Sequence, residues 1–208
     1  MPHRGYLSVK EVNPARGKQT DDKKIIDEAF APSGLPLGRN ELYKQPIAPE
    51  GQPHYMSNTY TQLHIQLVFA VKGRKSFIQN SWEEELHKYI TAVVQNDRHK
   101  MLAINGMPDH IHIFVGLNPA IAISDLVKDI KRASNNWIND RGLIKGKFEW
   151  QSGYGAFSYG KSQVDRVCQY IRNQKEHHAK QNFRMEYTGL LRLFDIDFKD
   201  EYLFEFYK

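Results

Sequence analysis

The chain of 208 residues holds a single cysteine, Cys168. One thiol excludes an intramolecular disulfide and fits a reducing compartment. It also leaves no thiolate cluster for a structural zinc site. No apolar run approaches the roughly 20 residues that a membrane-crossing helix needs, and the N-terminus lacks a signal-peptide core. A cytoplasmic protein is expected. Proline is scarce after residue 55, because seven of the nine prolines are Pro2, Pro14, Pro32, Pro36, Pro46, Pro49 and Pro53. Segment 1–55 also has weak apolar periodicity and reads as a poorly ordered leader or extension. Segment 56–194 reads as the folded domain, and 195–208 as an acidic, aromatic tail that packs back on it.

Hydrophobic residues make up 40% of the chain, enough for a core. The net charge is +5 and the isoelectric point about 9.1. The basic excess is uneven. Residues 1–55 carry 8 Lys/Arg against 7 Asp/Glu, residues 195–208 carry 2 against 5, and the middle carries 19 against 12. A net +7 in the folded segment is the bias a nucleic-acid binder needs.

Patterning in that segment is strong. Tyr60–Val71 alternates and is rich in β-formers, so it reads as a strand. A basic turn, Lys72-Gly73-Arg74-Lys75, follows. Asn80-Ser81 is a capping signal for a helix that ends near Asp97, with Glu83–Glu85 in its first turn. Lys100–Ile104 reads as a second strand, Asn105-Gly106 as the hairpin turn, and His110–Val115 as a third strand. A helix over Asp125–Asp140, capped by Ser124, leads through the basic loop around Lys145-Gly146-Lys147 to an aromatic strand region, Phe148–Tyr159. A last strong helix spans Gln163–Lys180, capped by Ser162, and Glu186–Phe194 forms a further short helix. The order β-α-β-β-α-β-α fits an α+β, ferredoxin-like (split βαβ) antiparallel sheet. That fold serves many functions and establishes none.

The chemistry centres on Asp109-His110-Ile111-His112-Ile113-Phe114. Residues i and i+2 of a strand share a face, so the Cα atoms of His110 and His112 lie about 7 Å apart and both rings can lean onto one cation. Taken alone, the stretch equally fits a half-exposed strand with histidines on its wet face. On the last helix Tyr170 and Gln174 stand at i and i+4 and project together. Tyrosine can act as a nucleophile and glutamine as an oxygen ligand. Taken separately, Tyr170 reads equally as a seam aromatic beside Val167 and Ile171, and Gln174 as a solvated residue.

His-hydrophobic-His followed by Tyr-x-x-x-Gln resembles the HUH single-tyrosine transposases of insertion sequences that move as single-stranded DNA, and the related REP-associated tyrosine transposases. The resemblance covers most of Met56–Phe194. It includes Asp109–His112, the opening strand ending in Lys72-x-Arg74, Lys131 to Ser134 of the middle helix, and the Trp150-to-Ser158 strand. Gln66 departs from it, because relatives often carry His there; the departure is expected to leave the catalytic set untouched. The resemblance implies that Tyr170 attacks a phosphodiester to give a 5′-phosphotyrosine and a free 3′-hydroxyl. It implies that His110, His112 and Gln174 hold one Mg²⁺ or Mn²⁺, that folded single strands at element ends are the ligand, and that the protein is a homodimer sharing active sites. Gly153, Gly155 and Gly160 would give the flexibility such sharing needs.

Candidate phosphate contacts are Lys72, Arg74, Lys75, Lys128, Lys131, Arg132, Lys145 and Lys147. Phe157 and Tyr159 could stack bases, although core packing fits them better. Glu176, His177 and His178 read as an exposed polar helix end, and Cys168 as a small inward-packing group. Two other readings stay open: a rolling-circle initiator or relaxase of the same chemistry, and a ferredoxin-like nucleic-acid-binding module without chemistry.

Overall fold

The computed structural model describes residues 60–204. The expected leader and its Met56 boundary lie outside the described residues. Four strands alternate with helices: β1 (His64–Ala70), α1 (Glu83–Asn96), β2 (Lys100–Met107), β3 (His110–Gly116), α2 (Ile123–Asp140) and β4 (Gly155–Tyr159). Three helices then close the fold: α3 (Val164–Arg172), α4 (Gln174–His178) and α5 (Phe183–Leu193). The sheet order is β2-β3-β1-β4 with every neighbouring pair antiparallel. This is the ferredoxin-like, split βαβ arrangement, with β1 and β3 central.

The register assigns the faces. On one face, Gln66, Val68 and Ala70 of β1 stand beside Phe114, His112 and His110 of β3. On the other, Ile65, Leu67 and Phe69 stand beside Val115, Ile113 and Ile111. The purely apolar face packs on α1 and α2; Lys131 of α2, for example, lies 5.0 Å from the centre of the Phe69 ring. The face with the histidines is covered by the C-terminal helices, with Tyr170 of α3 edge-on to His112 and Phe183 of α5 stacked on His110. Every residue of β1 is therefore buried, including its polar ones.

Several local expectations are corrected. The hairpin does not turn at Asn105-Gly106: Met107 pairs with His110, so the turn is Pro108-Asp109. Gly106 instead permits close strand approach, since a Cβ there would meet the His110 carbonyl oxygen at 2.3 Å and Ile111 Cα at 3.0 Å. The three expected serine and asparagine caps do not form; α1, α2 and α3 begin after Trp82, Ala122 and Gln163, none of which caps with its side chain. Acidic first turns (Glu83–Glu85, Asp125, Asp165) still suit the positive helix ends. A side-chain cap appears on α5, where Asn182 Oδ1 accepts from the Met185 amide at 3.0 Å.

The expected single tyrosine helix is broken. Asn173 leaves helical geometry (φ −92°, ψ 21°) between α3 and α4. The Arg172 carbonyl at the break accepts a 2.7 Å hydrogen bond from Asn105 Nδ2 of β2. A helix end thus finds the partner its free carbonyls require, and the break is tied to the sheet. The aromatic strand region shortens to β4, preceded by a single Val71–Trp150 bridge. The last helix starts earlier than expected, at Phe183. Beyond it Phe204 is buried against Phe183 and Tyr187. Among the described residues no helix is long and apolar enough to cross a membrane.

Gly106→Ala should destabilise the fold by about 2 kcal/mol or more, because the obstructing atoms are backbone. Gly160→Ala, where an added Cβ meets only Gln163 Oε1 at 3.6 Å, should change stability by less than about 0.5 kcal/mol. Urea unfolding of the two variants checks both values.

Candidate active site

β3 presents His110 and His112 on the face beneath the C-terminal helices, both with almost no exposed surface. Each ring is oriented through its Nδ1. His110 Nδ1 lies 2.7 Å from Asp109 Oδ1. A carboxylate only accepts, so this nitrogen carries the proton and Nε2 keeps its lone pair. Asp109 also accepts from Arg74 Nε at 3.0 Å and from Arg74 Nη2. Burial works against the Asp109 charge, yet the His110 hydrogen bond and the Arg74 guanidinium hold its pKa at about 2. Burial pulls His110 down to about 4, so the ring is neutral at physiological pH.

His112 Nδ1 lies 3.0 Å from Gln66 Nε2, and Tyr159 Oη lies 2.7 Å from Gln66 Oε1. Gln66 therefore touches the candidate set directly, contrary to expectation, and fixes the His112 ring. The amide can hold both neighbours in either orientation. With its oxygen toward the ring, it accepts the Nδ1 proton and leaves Nε2 of His112 free to coordinate.

From the helices, Tyr170 and Gln174 reach the same place despite the break between them. Their meeting point is a residue the sequence reading missed, Glu186 of α5. The Tyr170 hydroxyl donates to Glu186 Oε1, and Gln174 Nε2 donates to the same oxygen at 2.9 Å. Glu186 Oε2 lies 3.4 Å from His112 Nε2 and 3.6 Å from His110 Nε2. His178 Nε2 lies 2.9 Å from Glu186 Oε2 and 3.1 Å from His110 Nε2. The expectation that His178 belongs to an exposed polar end is thus corrected: its side chain is 7% exposed and joins the cluster. Burial opposes the Glu186 charge, but His112 and the His178 hydrogen bond hold its carboxyl well below the usual range. Burial and the Glu186 carboxylate together push the Tyr170 phenol well above its ordinary value.

The donor set fits a divalent cation. Ligand atoms of His110, His112 and Glu186 all lie within 4.8 Å of one another. His112 Nε2 and Gln174 Oε1 are both buried without a hydrogen-bond partner, and a buried polar atom left unpaired is costly. Two imidazole nitrogens with amide and carboxylate oxygens suit Mn²⁺ or Mg²⁺ better than a structural zinc.

The remaining basic candidates scatter. Lys72 and Lys147 bind Glu149, Lys128 binds Asp125, and Arg132 binds Asp129. Lys75 lies 5.6 Å from the centre of the Phe77 ring, and Lys145 is exposed. Lys131 donates to the Gln151 carbonyl at 2.7 Å and also to that of Gly153; burial lowers its pKa to about 8. Lys72, Lys128, Lys131 and Arg132 line one groove of about 660 Å³ with Trp150 and Tyr154. Arg74 stands apart, since its guanidinium pairs with Asp109 and lies 4.3 Å from the centre of the Phe183 ring. Phe157 and Tyr159 are core residues, and Cys168 is buried.

The ferredoxin-like sheet presents His112 to Tyr170 of α3, ring centres 6.1 Å apart. Residues 59–174 match the model of the family described as "Transposase IS200 like", and the chain belongs to that family. It is 22% identical over 120 residues to the ISDra2 transposase TnpA of Deinococcus radiodurans, covering 55% of this chain and 86% of that relative. Among solved structures, it is similar to a candidate transposase from Deinococcus radiodurans (23% identity, 57% of this chain and 95% of that one, TM-score 0.48). It is also similar to a REP-associated tyrosine transposase bound to a REP hairpin (16% identity, 59% and 73% coverage, TM-score 0.45).

The Arg74–Asp109 pair is mostly buried, at 13% and 18% side-chain exposure, whereas Lys72 is 64% exposed in its pair with Glu149. Arg74→Ala should therefore cost about 2–4 kcal/mol of stability, and Lys72→Ala under about 1 kcal/mol. Denaturant titration of the two variants separates the supporting role of Arg74 from a surface role.

Proposed function

We propose that this transposase cleaves and rejoins single-stranded DNA through Tyr170. The observation that carries this reading is the convergence of the Tyr170 phenol, the His110 and His112 rings and the Gln174 amide on one buried carboxylate. In the reaction, Tyr170 Oη attacks phosphorus and loses its proton. The bond from phosphorus to the 3′ oxygen breaks, and that oxygen leaves as a 3′-hydroxyl. A 5′-phosphotyrosine remains and keeps the ester bond energy, so a second 3′-hydroxyl can reseal the strand and free Tyr170.

His110, His112 and Gln174 would hold a divalent cation. Bound there, it would polarise the phosphoryl group and offset charge developing on the leaving oxygen. The chain supplies the rest. Asp109 and Gln66 orient the two rings, while the break at Asn173, tied to Asn105, sets where Gln174 stands relative to Tyr170. The groove carrying Lys72, Lys128, Lys131 and Arg132 adjoins the end of β1 that pairs with His110. It gives the strand a path of phosphate contacts, with Lys75, Lys145 and Lys147 as further surface cations. Family resemblance makes a DNA hairpin with unpaired flanks the ligand of choice.

Labelled hairpin DNA incubated with the protein and Mn²⁺ or Mg²⁺ should give a covalent adduct that resists denaturation and is absent in Tyr170→Phe. No adduct in wild type would leave a binding module without chemistry, and an undiminished one in the variant would overturn Tyr170 as the nucleophile.

Tyr170 already stands 6.1 Å, ring centre to ring centre, from His112 of its own chain. That supports assembly of the site within one chain, even if the protein is a homodimer. Mixing Tyr170→Phe with His112→Ala should then restore no adduct. Recovery to about a quarter of wild type or more would establish exchange of tyrosine helices between subunits.

A further inference from the structure

Glu186 lies on α5, beyond the residues that match the family model. It occupies a helix position whose neighbours at the same stripe, Phe183, Tyr187 and Leu190, are all buried and apolar. An ionised carboxylate in such a place requires specific compensation. The His pair supplies only part of it. His112 Nε2 faces Glu186 Oε2 at 3.4 Å without forming a hydrogen bond, and the buried Gln174 Oε1 also has no hydrogen-bond partner.

We propose that Glu186 is a carboxylate ligand of the divalent cation held by His110, His112 and Gln174, so that α5 is part of the active site. The inference rests on the metal-dependent reading above and adds a ligand to it. Three arguments support it. The first is distance. Donors sharing one ion at bonds near 2.1 Å sit about 3.0–3.4 Å apart; Glu186 Oε2 is 3.4 Å from His112 Nε2, at the edge of that range, and 3.6 Å from His110 Nε2, just beyond it.

The second is charge. Two neutral imidazoles and an amide offer a buried dication no negative charge, whereas hard cations are held mainly through carboxylates. Glu186 provides that charge without displacing the other donors. The third is orientation. Gln174 Nε2 and the Tyr170 hydroxyl both bind Oε1, which leaves Oε2 turned to the histidines. The same carboxyl would therefore position the nucleophile with one oxygen and ligate with the other. His178, which bonds Oε2 at 2.9 Å, holds that oxygen in place as a positioning residue.

Mn²⁺ binding to the full chain without DNA tests this, with the free-ion signal followed by electron paramagnetic resonance and the fold by circular dichroism. Glu186→Gln keeps the side-chain shape and should weaken Mn²⁺ at least about tenfold, the scale on which metal sites respond to lost support. Glu149→Gln, which removes a half-buried carboxylate paired with Lys72 and Lys147 outside the cluster, should stay within twofold. If Glu186→Gln binds Mn²⁺ as well as wild type or better while His112→Ala does not, Glu186 is no ligand and the proposal falls, with the His-based site intact. If neither substitution matters, or wild type binds no Mn²⁺, both the proposal and the metal-dependent reading fail. Should Glu186→Gln not fold, Glu186→Asp takes its place. It withdraws the carboxylate by one methylene and should bind at least about threefold more weakly, and unchanged affinity there overturns the proposal.

Discussion

A carboxylate buried among three histidines, a tyrosine and a glutamine is the constraint on which this structure turns. Glu186 could not stay charged on the buried face of α5 unless groups from β3, α3 and α4 all came to meet it. Each of those elements is positioned by something else. Asp109 and Gln66 fix the rings, Asn105 holds the helix break, and Phe183 and Phe204 seat α5. The chemistry and the packing of the C-terminal helices are therefore one problem, solved on a single face of the sheet. The opposite face, lined by Ile65, Leu67, Phe69 and Ile113, is buried against α1 and α2 and carries none of the histidine–carboxylate cluster.

Much of this was legible in the sequence. Alternation in β1 and β3 gave both strands and put His110 and His112 on one face, and a helical period gave α1, α2 and the tyrosine helix. Local rules failed where tertiary contacts decided. Asn105-Gly106 has the composition of a turn, but Gly106 is needed for strand approach and Asn105 for a helix carbonyl 67 positions away. Ser124 and Ser162 suit caps, yet neither caps its helix, and the acidic first turns already favour those ends. Nothing local marks the break at Asn173, since the residue that stabilises it belongs to β2.

Glu186 was the more instructive omission. Its signal was present: in Phe183, Glu186, Tyr187 and Leu190, at helical spacing, one acid interrupts an otherwise apolar stripe. Such an interruption is informative because a lone buried acid is expensive. It lies beyond the motif that carries the family resemblance, whose last member is Gln174. His178 escaped for a related reason. Its neighbours Glu176, Ala179 and Lys180 are exposed, yet its Nε2 lies 3.1 Å from His110 Nε2.

The connection between α4 and α5 has a consequence for inheritance. Four residues, Ala179 to Asn182, separate the helix bearing Gln174 from the one bearing Glu186. Within so short a loop an insertion or deletion would force α5 to reseat against the sheet. That would carry the carboxyl away from the histidines while leaving every family motif intact. Descendants could thus lose or regain the carboxylate through loop length alone, with no substitution in the signature residues. Similarity across 59–174 would not reveal which state a given member is in.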